Sequence, residues 1–360
     1  MKHSSKLLLL SLFLVIAFPK LSFSADKLNK KYDVVAIGKA MVDIIQVVSE
    51  EELKQIMPFG FKKSDSNKID NDAATKMFAK MSNVSIIAGG SEANVVADIA
   101  SLGGSAAFNA ISANDKMGVI FKESLIKEGV VYSSPFAQNS EAGTARCFTF
   151  ITPDKDRTFA VSAEIVTEIN DSFVDYNTIK EAKVFYTDAS NLSHENQKKV
   201  TLKALNVAKE NATRTAFNLN NNRYVDSYRD EIIKLLPKID IIVGSEKEAM
   251  NLFKVDNIDQ AVELYLKTSK IVIITLGKNG AIIATNKQLL RVPSIVEKSK
   301  IIDLNGAGDA FIAGFLYGYT HDYSLEDAGK LGAKVAAQII YQIGARPTVS
   351  LKKAIFESNN

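Results

Sequence analysis

The chain has 360 residues, 46% hydrophobic and 24% charged, with 44 basic side chains against 41 acidic ones and a formal net charge of +3. That length can bury a substantial core, and the even charge balance argues against nucleic acid or an anionic membrane as the main partner. A single cysteine, Cys147, excludes an intramolecular disulfide and a cysteine zinc site, and three scattered histidines suggest no zinc site either.

At the N-terminus, Lys2 and Lys6 precede the apolar run Leu7–Phe18, and small residues follow with a cut expected after Ser24 or Ala25. This is a signal-peptide pattern. The run falls short of the about 20 apolar residues a membrane span needs, so no stable span is expected. An equally good reading is a start codon placed too early, or an extension without regular structure. Residues 1–30 are therefore set apart, and 31–360 are read as one domain.

From Lys31 onward, short apolar runs alternate with amphipathic stretches. Strands are expected at Val34–Ile37, Ala106–Ile111, Val184–Thr187, Thr215–Leu219, Ile239–Val243 and Ile271–Leu276. Several are continuously apolar and β-branched, as in strands buried on both faces of a parallel sheet. Helices are expected at Ala93–Leu102, Glu195–Lys209, Ser227–Leu236, Ile258–Leu266 and Ala328–Ile343. The repetition predicts an α/β fold, a doubly wound and mostly parallel sheet flanked by helices. Met41–Val48 and Ala145–Val161 alternate instead, in the manner of strand pairs, the second turning at Pro153–Asp156. Alternation implies a sheet with one face open to solvent or ligand. A small β-lid formed by about 41–48 and 145–163 is the expectation.

Three glycine-bearing segments carry chemistry. Asp303-Leu304-Asn305-Gly306-Ala307-Gly308-Asp309 runs into an apolar stretch with Phe311 and Phe315 on one helical face. The glycines then sit at a helix start, where free backbone N–H groups and the positive end of the dipole attract an anion. Small residues let phosphate oxygens approach the backbone. Asp309, in the first turn, can still accept a proton from a hydroxyl, which suits phosphoryl transfer. Taken alone, the segment is equally a glycine turn with an acidic residue stabilising the helix. Gly89-Gly90 precedes a helix whose first turn holds Asn94, aimed at sugar hydroxyls; glycine pairs are also common loop punctuation. Thr275-Leu276-Gly277-Lys278-Asn279-Gly280 joins two apolar strands and would admit a nucleotide, although a plain hairpin turn fits as well. Lys278 lacks the following Ser or Thr of a Walker A loop, and Ile37-Gly38-Lys39-Ala40 lacks the glycines of a dinucleotide fingerprint. Both absences weigh against P-loop enzymes and NAD-dependent dehydrogenases.

Gly89-Gly90 with Asn94, then Gly103-Gly104, then D-L-N-G-A-G-D resembles the two signatures of the PfkB, or ribokinase-like, carbohydrate kinase family from about Tyr32 to Leu351. Thr144–Cys147, Pro153-Asp154 with Arg157-Thr158, Phe217–Asn220 and Gly344–Pro347 are most similar to its adenosine-kinase-like bacterial branch. The resemblance implies an ATP- and Mg2+-dependent kinase of a nucleoside or sugar, adenosine the first candidate, with a monovalent cation such as K+ as an optional cofactor. Asp309 would be the base and Gly306, Ala307 and Gly308 its anion hole. Asp43, Gly89, Gly90 and Asn94 would hold the substrate, with Arg157 near the phosphates. Thr275, Gly277, Gly280 and Asn305 would line the ATP pocket, and Glu248 would organise magnesium through water. Such an enzyme is expected as a monomer or homodimer in the cytoplasm, where ATP is found; the N-terminal pattern leaves export open. Three positions depart from the family pattern: Lys39 and Ser245 replace asparagines, and Leu304 replaces a threonine. They support an alternative, a catalytically weak or inactive kinase-fold protein that binds a nucleoside or sugar.

Overall fold

Tyr32–Ile37 is buried at every position, apolar except for Asp33, as suits a strand packed on both faces. It lies inside a nine-stranded sheet. On one side it pairs in parallel with Ala106–Asn109, which in turn pairs with Val131–Tyr132. On the other side, parallel pairing continues through Ala182–Asp188, Arg214–Asn218, Ile241–Ser245 and Ile271–Thr275. Ala281–Thr285 and Gln288–Val292 close that edge antiparallel. The computed structural model describes residues 30–57, 60–154 and 156–357; the signal-like segment expected at the N-terminus lies outside them.

The chain leaves Tyr32–Ile37 to build one half of the sheet and returns beside it to build the other. The order therefore reverses there, and in such sheets the crevice at the C-terminal strand ends at that point receives ligands. A five-stranded sheet stands off the same end, in the order Ser66–Lys68, Arg157–Ser162, Ala145–Ile151, Met41–Val47, Ser85–Gly89. Met41–Val47 is one strand and not a pair; it runs parallel to Ala145–Ile151 and antiparallel to Ser85–Gly89. Its buried residues alternate, Val42, Ile44 and Gln46 inward, which leaves Asp43 on the opposite face.

The expected helix Ala328–Ile343 begins earlier than its apolar periodicity indicated, because Ser324 caps Leu325–Ile340. Asn222–Leu235, capped by Asn221, is kinked at Tyr228 (φ −125°, ψ 24°), and the expected helix Ser227–Leu236 corresponds to its second part. The helix Ala307–Thr320 is buried along almost all of Ala310–Leu316 and packs against Leu325–Ile340 and Ser91–Ser101. Gly314 permits that first crossing: a Cβ there would lie 2.7 Å from the Gly332 Cα. Gly314→Ala is expected to overpack the crossing and destabilise the fold by about 1–3 kcal/mol, read as a fall in the thermal unfolding midpoint.

Candidate active site

Asn218, Ser245 and Thr275 are the last residues of three neighbouring strands. They line a cleft of about 300 Å³ whose opposite wall is Ser91 and the 304–309 loop. The helix Ala307–Thr320 points its N-terminus into this cleft. Gly306 stands at its cap in the left-handed region (φ +78°, ψ −2°) and no side chain caps it, so the first turn offers backbone amides to an anion. Above Gly308 the space is open, since a Cβ there would meet nothing within 4 Å. Asp303, nearly buried, shapes the loop from below: Oδ1 accepts from the Asn305 N–H (2.9 Å) and Oδ2 from the Gly344 N–H (3.1 Å).

Asp309 is half-buried, and both its oxygens are engaged. Ser91 Oγ donates to Oδ1 at 2.6 Å and Asn94 Nδ2 donates to Oδ2 at 3.0 Å. Burial pushes its carboxyl up to about 6, against the two hydrogen bonds, and the Asp188 charge adds to the rise. Asp43, on the five-stranded sheet, is likewise raised to about 6 by burial; Arg346 opposes the rise and Asp309 adds to it. Gly89 exists to make room for Asp43, because a Cβ there would fall 2.3 Å from Oδ2. Gly90 (φ +92°) begins the helix that carries Ser91 and Asn94. The expected residues Asp309, Gly306–Gly308, Asn305, Asn94, Gly89, Gly90 and Asp43 therefore converge.

For both aspartates the folded carboxyl is raised above the unfolded value of 3.8. Their stabilising contribution is then full below about pH 4 and is lost as pH rises through about 6. Asp309→Asn cannot ionise. Its unfolding midpoint should exceed the wild type's by a margin that opens as pH rises from about 4 to about 6 and then stays constant, as thermal melts of the two proteins from about pH 4 to 7 will test. A margin that does not change between about pH 4 and about 6 would remove Asp309 as the titrating group.

The remaining expected residues divide between the cleft and its surroundings. Thr275 lines the cleft, whereas Gly277 and Gly280 fall outside its lining. Gly280 (φ +89°) serves the hairpin, where a Cβ would lie 1.9 Å from the Val292 carbonyl. Arg157 reaches from the small sheet to Asp303 Oδ1, an ion pair of 2.9 Å. Glu248 lines the cleft and closes a capping box with Ser245, Oε2 accepting from the Ser245 N–H at 2.8 Å. Serine thus performs at this position the helix-capping work an asparagine could do. Leu304 is largely exposed at the cleft edge.

Lys39 Nζ donates to the Ser190 carbonyl (3.1 Å) and lies 5.6 Å over the Tyr224 ring. Burial lowers its pKa, while Asp188 and Glu92 oppose that shift. Glu92 packs on Gly38, accepts from Asn191 Nδ2 at 2.7 Å, and is raised by burial and by Asp188. Glu92 and Asp188 are thus the acidic neighbours of Lys39 inside the protein, without a direct ion pair to it. Sequence reasoning missed Glu92, Asp188, Ser91 and Arg346. For Ser91 a signal existed: three residues before Asn94 at a helix start, it must share Asn94's face.

Among the described residues no group of three or more His, Cys, Asp or Glu side chains could hold a metal ion, and no helix is long and apolar enough to cross a membrane. The family model of pfkB family carbohydrate kinases matches residues 31–352. The chain belongs to that family. This pfkB kinase has the ribokinase-like α/β fold, mostly parallel with a smaller second sheet. It is 32% identical to the adenosine kinase of Sinorhizobium meliloti (TM-score 0.82, covering 91% of this chain and 99% of that one). It is 31% identical to a probable sugar kinase of Rhizobium etli CFN 42 (TM-score 0.80, with the same 91% and 99% coverage). The probable chloroplastic fructokinase-6 of Arabidopsis thaliana is 31% identical over 288 residues, 75% of this chain and 74% of that protein. Membership makes this chain a sugar or nucleoside kinase, which implies ATP and usually Mg2+.

Proposed function

We propose that this kinase transfers the γ-phosphoryl group of ATP to a hydroxymethyl group of a nucleoside or sugar, adenosine first among candidates. The observation that carries the reading is the Asp309 carboxylate, held by Ser91 and Asn94 at the uncapped, glycine-lined start of a helix that opens on the cleft. A hydroxyl held there gives its proton to Asp309 as it attacks, while the Ala307 and Gly308 amides take up charge on the transferred group. Asp43, Asn94 and the Gly89-Gly90 turn hold the acceptor's hydroxyls. Thr275 and Asn305 border the ATP side of the cleft, and Glu248, which lines it, would hold Mg2+ through water. The five-stranded sheet acts as the lid that excludes water, and Arg157 ties it to the anion-hole loop. Adenosine leads on the strength of the likeness to the Sinorhizobium meliloti adenosine kinase.

The test is ADP release by purified protein with ATP, Mg2+ and a panel of adenosine, other nucleosides, fructose, ribose and related sugars. Phosphorylation of one acceptor far above the rest is expected. No ADP above background with any of them overturns the reading. With the working acceptor, kcat/KM should fall on the acid side with an apparent pKa near 6, the value at which Asp309 loses its proton. A flat profile across that range would exclude a base buried as Asp309 is.

A further inference from the structure

Arg346 follows the Leu325–Ile340 helix, close to the C-terminus, and is 6% exposed. Every arm of its guanidinium is engaged. Nε donates to Asn94 Oδ1 (3.2 Å) and Nη2 to the Gly89 carbonyl (3.2 Å). Nη1 donates to Ser124 Oγ and Glu128 Oε2, both at 3.1 Å. A guanidinium only donates, so the Asn94 oxygen must face Arg346. The Asn94 amide nitrogen is then turned to Asp309 Oδ2, where it lies at 3.0 Å. A reversed amide would set N–H against guanidinium and oxygen against carboxylate, two repulsive contacts in a buried place.

We propose that Arg346 is a positioning residue for Asp309: through Asn94 it fixes the orientation of the carboxylate that receives the acceptor's proton, and through Gly89 it fixes the turn against which Asp43 rests. The inference rests on the kinase reading and deepens it. Arg346 does not itself bond to Asp309. Its effect passes along Glu128, Arg346, Asn94 and Asp309, four side chains from four parts of the chain.

The surroundings of Asp309 give the relay a signature. From the neighbouring elements Asp188, Asp43, Asp98 and Tyr186 all face it, groups that are acidic or neutral. The donors Ser91 and Asn94 hold its carboxyl down against burial. If Asn94 is released to turn, one of these donors is lost, and the carboxyl must rise further above about 6.

Arg346→Lys keeps a cation beside Glu128 but cannot span Asn94, Gly89 and Ser124 with one ammonium. A second variant, Arg346→Gln with Glu128→Gln, removes the pair together so that no buried charge is left alone. Both should fold, with a midpoint lowered by the acceptors left unpaired around the guanidinium site. Each should lose about a hundredfold in kcat, as for a base displaced by about 1 Å, with the ATP KM little changed. The acid limb of kcat/KM should move to higher pH. Asn94→Ala should move it alike, and adding Arg346→Lys should move it no further. An acid limb unmoved in a folded Arg346 variant overturns the proposal. Should the wild type phosphorylate nothing, the kinase reading fails on its own account, and the relay is then read without turnover. The 13C carboxyl signal of Asp309, assigned by its loss in Asp309→Asn, should titrate higher in Arg346→Lys than in the wild type. Equal titration overturns the relay.

Discussion

Asp309→Asn is expected to lower kcat by about 10²–10⁴-fold, or ~3–5 kcal/mol of transition-state stabilisation, while leaving the fold and ATP binding in place. The amide matches the carboxylate in shape, and its surroundings can accept it. Asn94 Nδ2 would donate to the retained oxygen, and the Ser91 hydroxyl, which donates at 2.6 Å to the carboxylate, can rotate to accept from the new N–H. What disappears is the ability to take a proton from the acceptor. The loss should therefore fall on kcat, with acceptor and ATP KM values changed far less. Stability should rise or hold at neutral pH, because a carboxyl raised to about 6 by burial is replaced by a group that never ionises. Steady-state kinetics with the working acceptor and a thermal melt decide it. Turnover near that of the wild type would remove Asp309 from the base role.

Whether a feature could be read from the sequence depended on the range over which its cause acts. Tyr32–Ile37 and Ile271–Thr275 announced themselves because strands covered on both faces need apolar, β-branched side chains at nearly every position. The loop before Ala307–Thr320 was legible because glycine spacing and a buried helix are neighbours in the chain. Ser66–Lys68 and Ser85–Gly89 were not legible: three or five residues carry little periodicity, and their pairing depends on distant strands. Gly280 is a case of two causes with one appearance. Close backbone passage past Val292 demands glycine as strictly as a nucleotide would, and the sequence does not distinguish them. Arg346 meets Asn94 across a sequence separation of 252, so the Gly344–Pro347 segment alone does not tell which side chain it holds. Lys39 stood in the sequence only as a departure from the family pattern. The folded chain brings it beside Glu92 and Asp188, which no local pattern announces.

Gly306→Ala should strike both halves of the site at once. Gly306 has φ +78°, which costs an alanine about 1–2 kcal/mol. The added methyl would also lie 2.6 Å from Ala345 Cβ and 2.7 Å from its Cα. Backbone cannot rotate aside as a side-chain tip can, so overpacking adds about 1–3 kcal/mol. The strain has defined paths of relief. Moving Ala345 disturbs Gly344, whose N–H is bonded to Asp303, and Arg346, which holds Asn94. Moving the loop instead displaces the Ala307 and Gly308 amides from the anion site. Either way the base and the anion hole lose their register, and a displacement of about 1 Å is worth about a hundredfold in kcat. Gly308→Ala is the control for a mere change of glycine. Its methyl meets nothing within 4 Å beyond its own turn of helix, so its unfolding midpoint should not fall below the wild-type value, while the ATP KM rises because the methyl enters the space left for phosphate. A Gly306→Ala protein with wild-type midpoint and kcat would show that the loop and the C-terminal segment are not braced against each other.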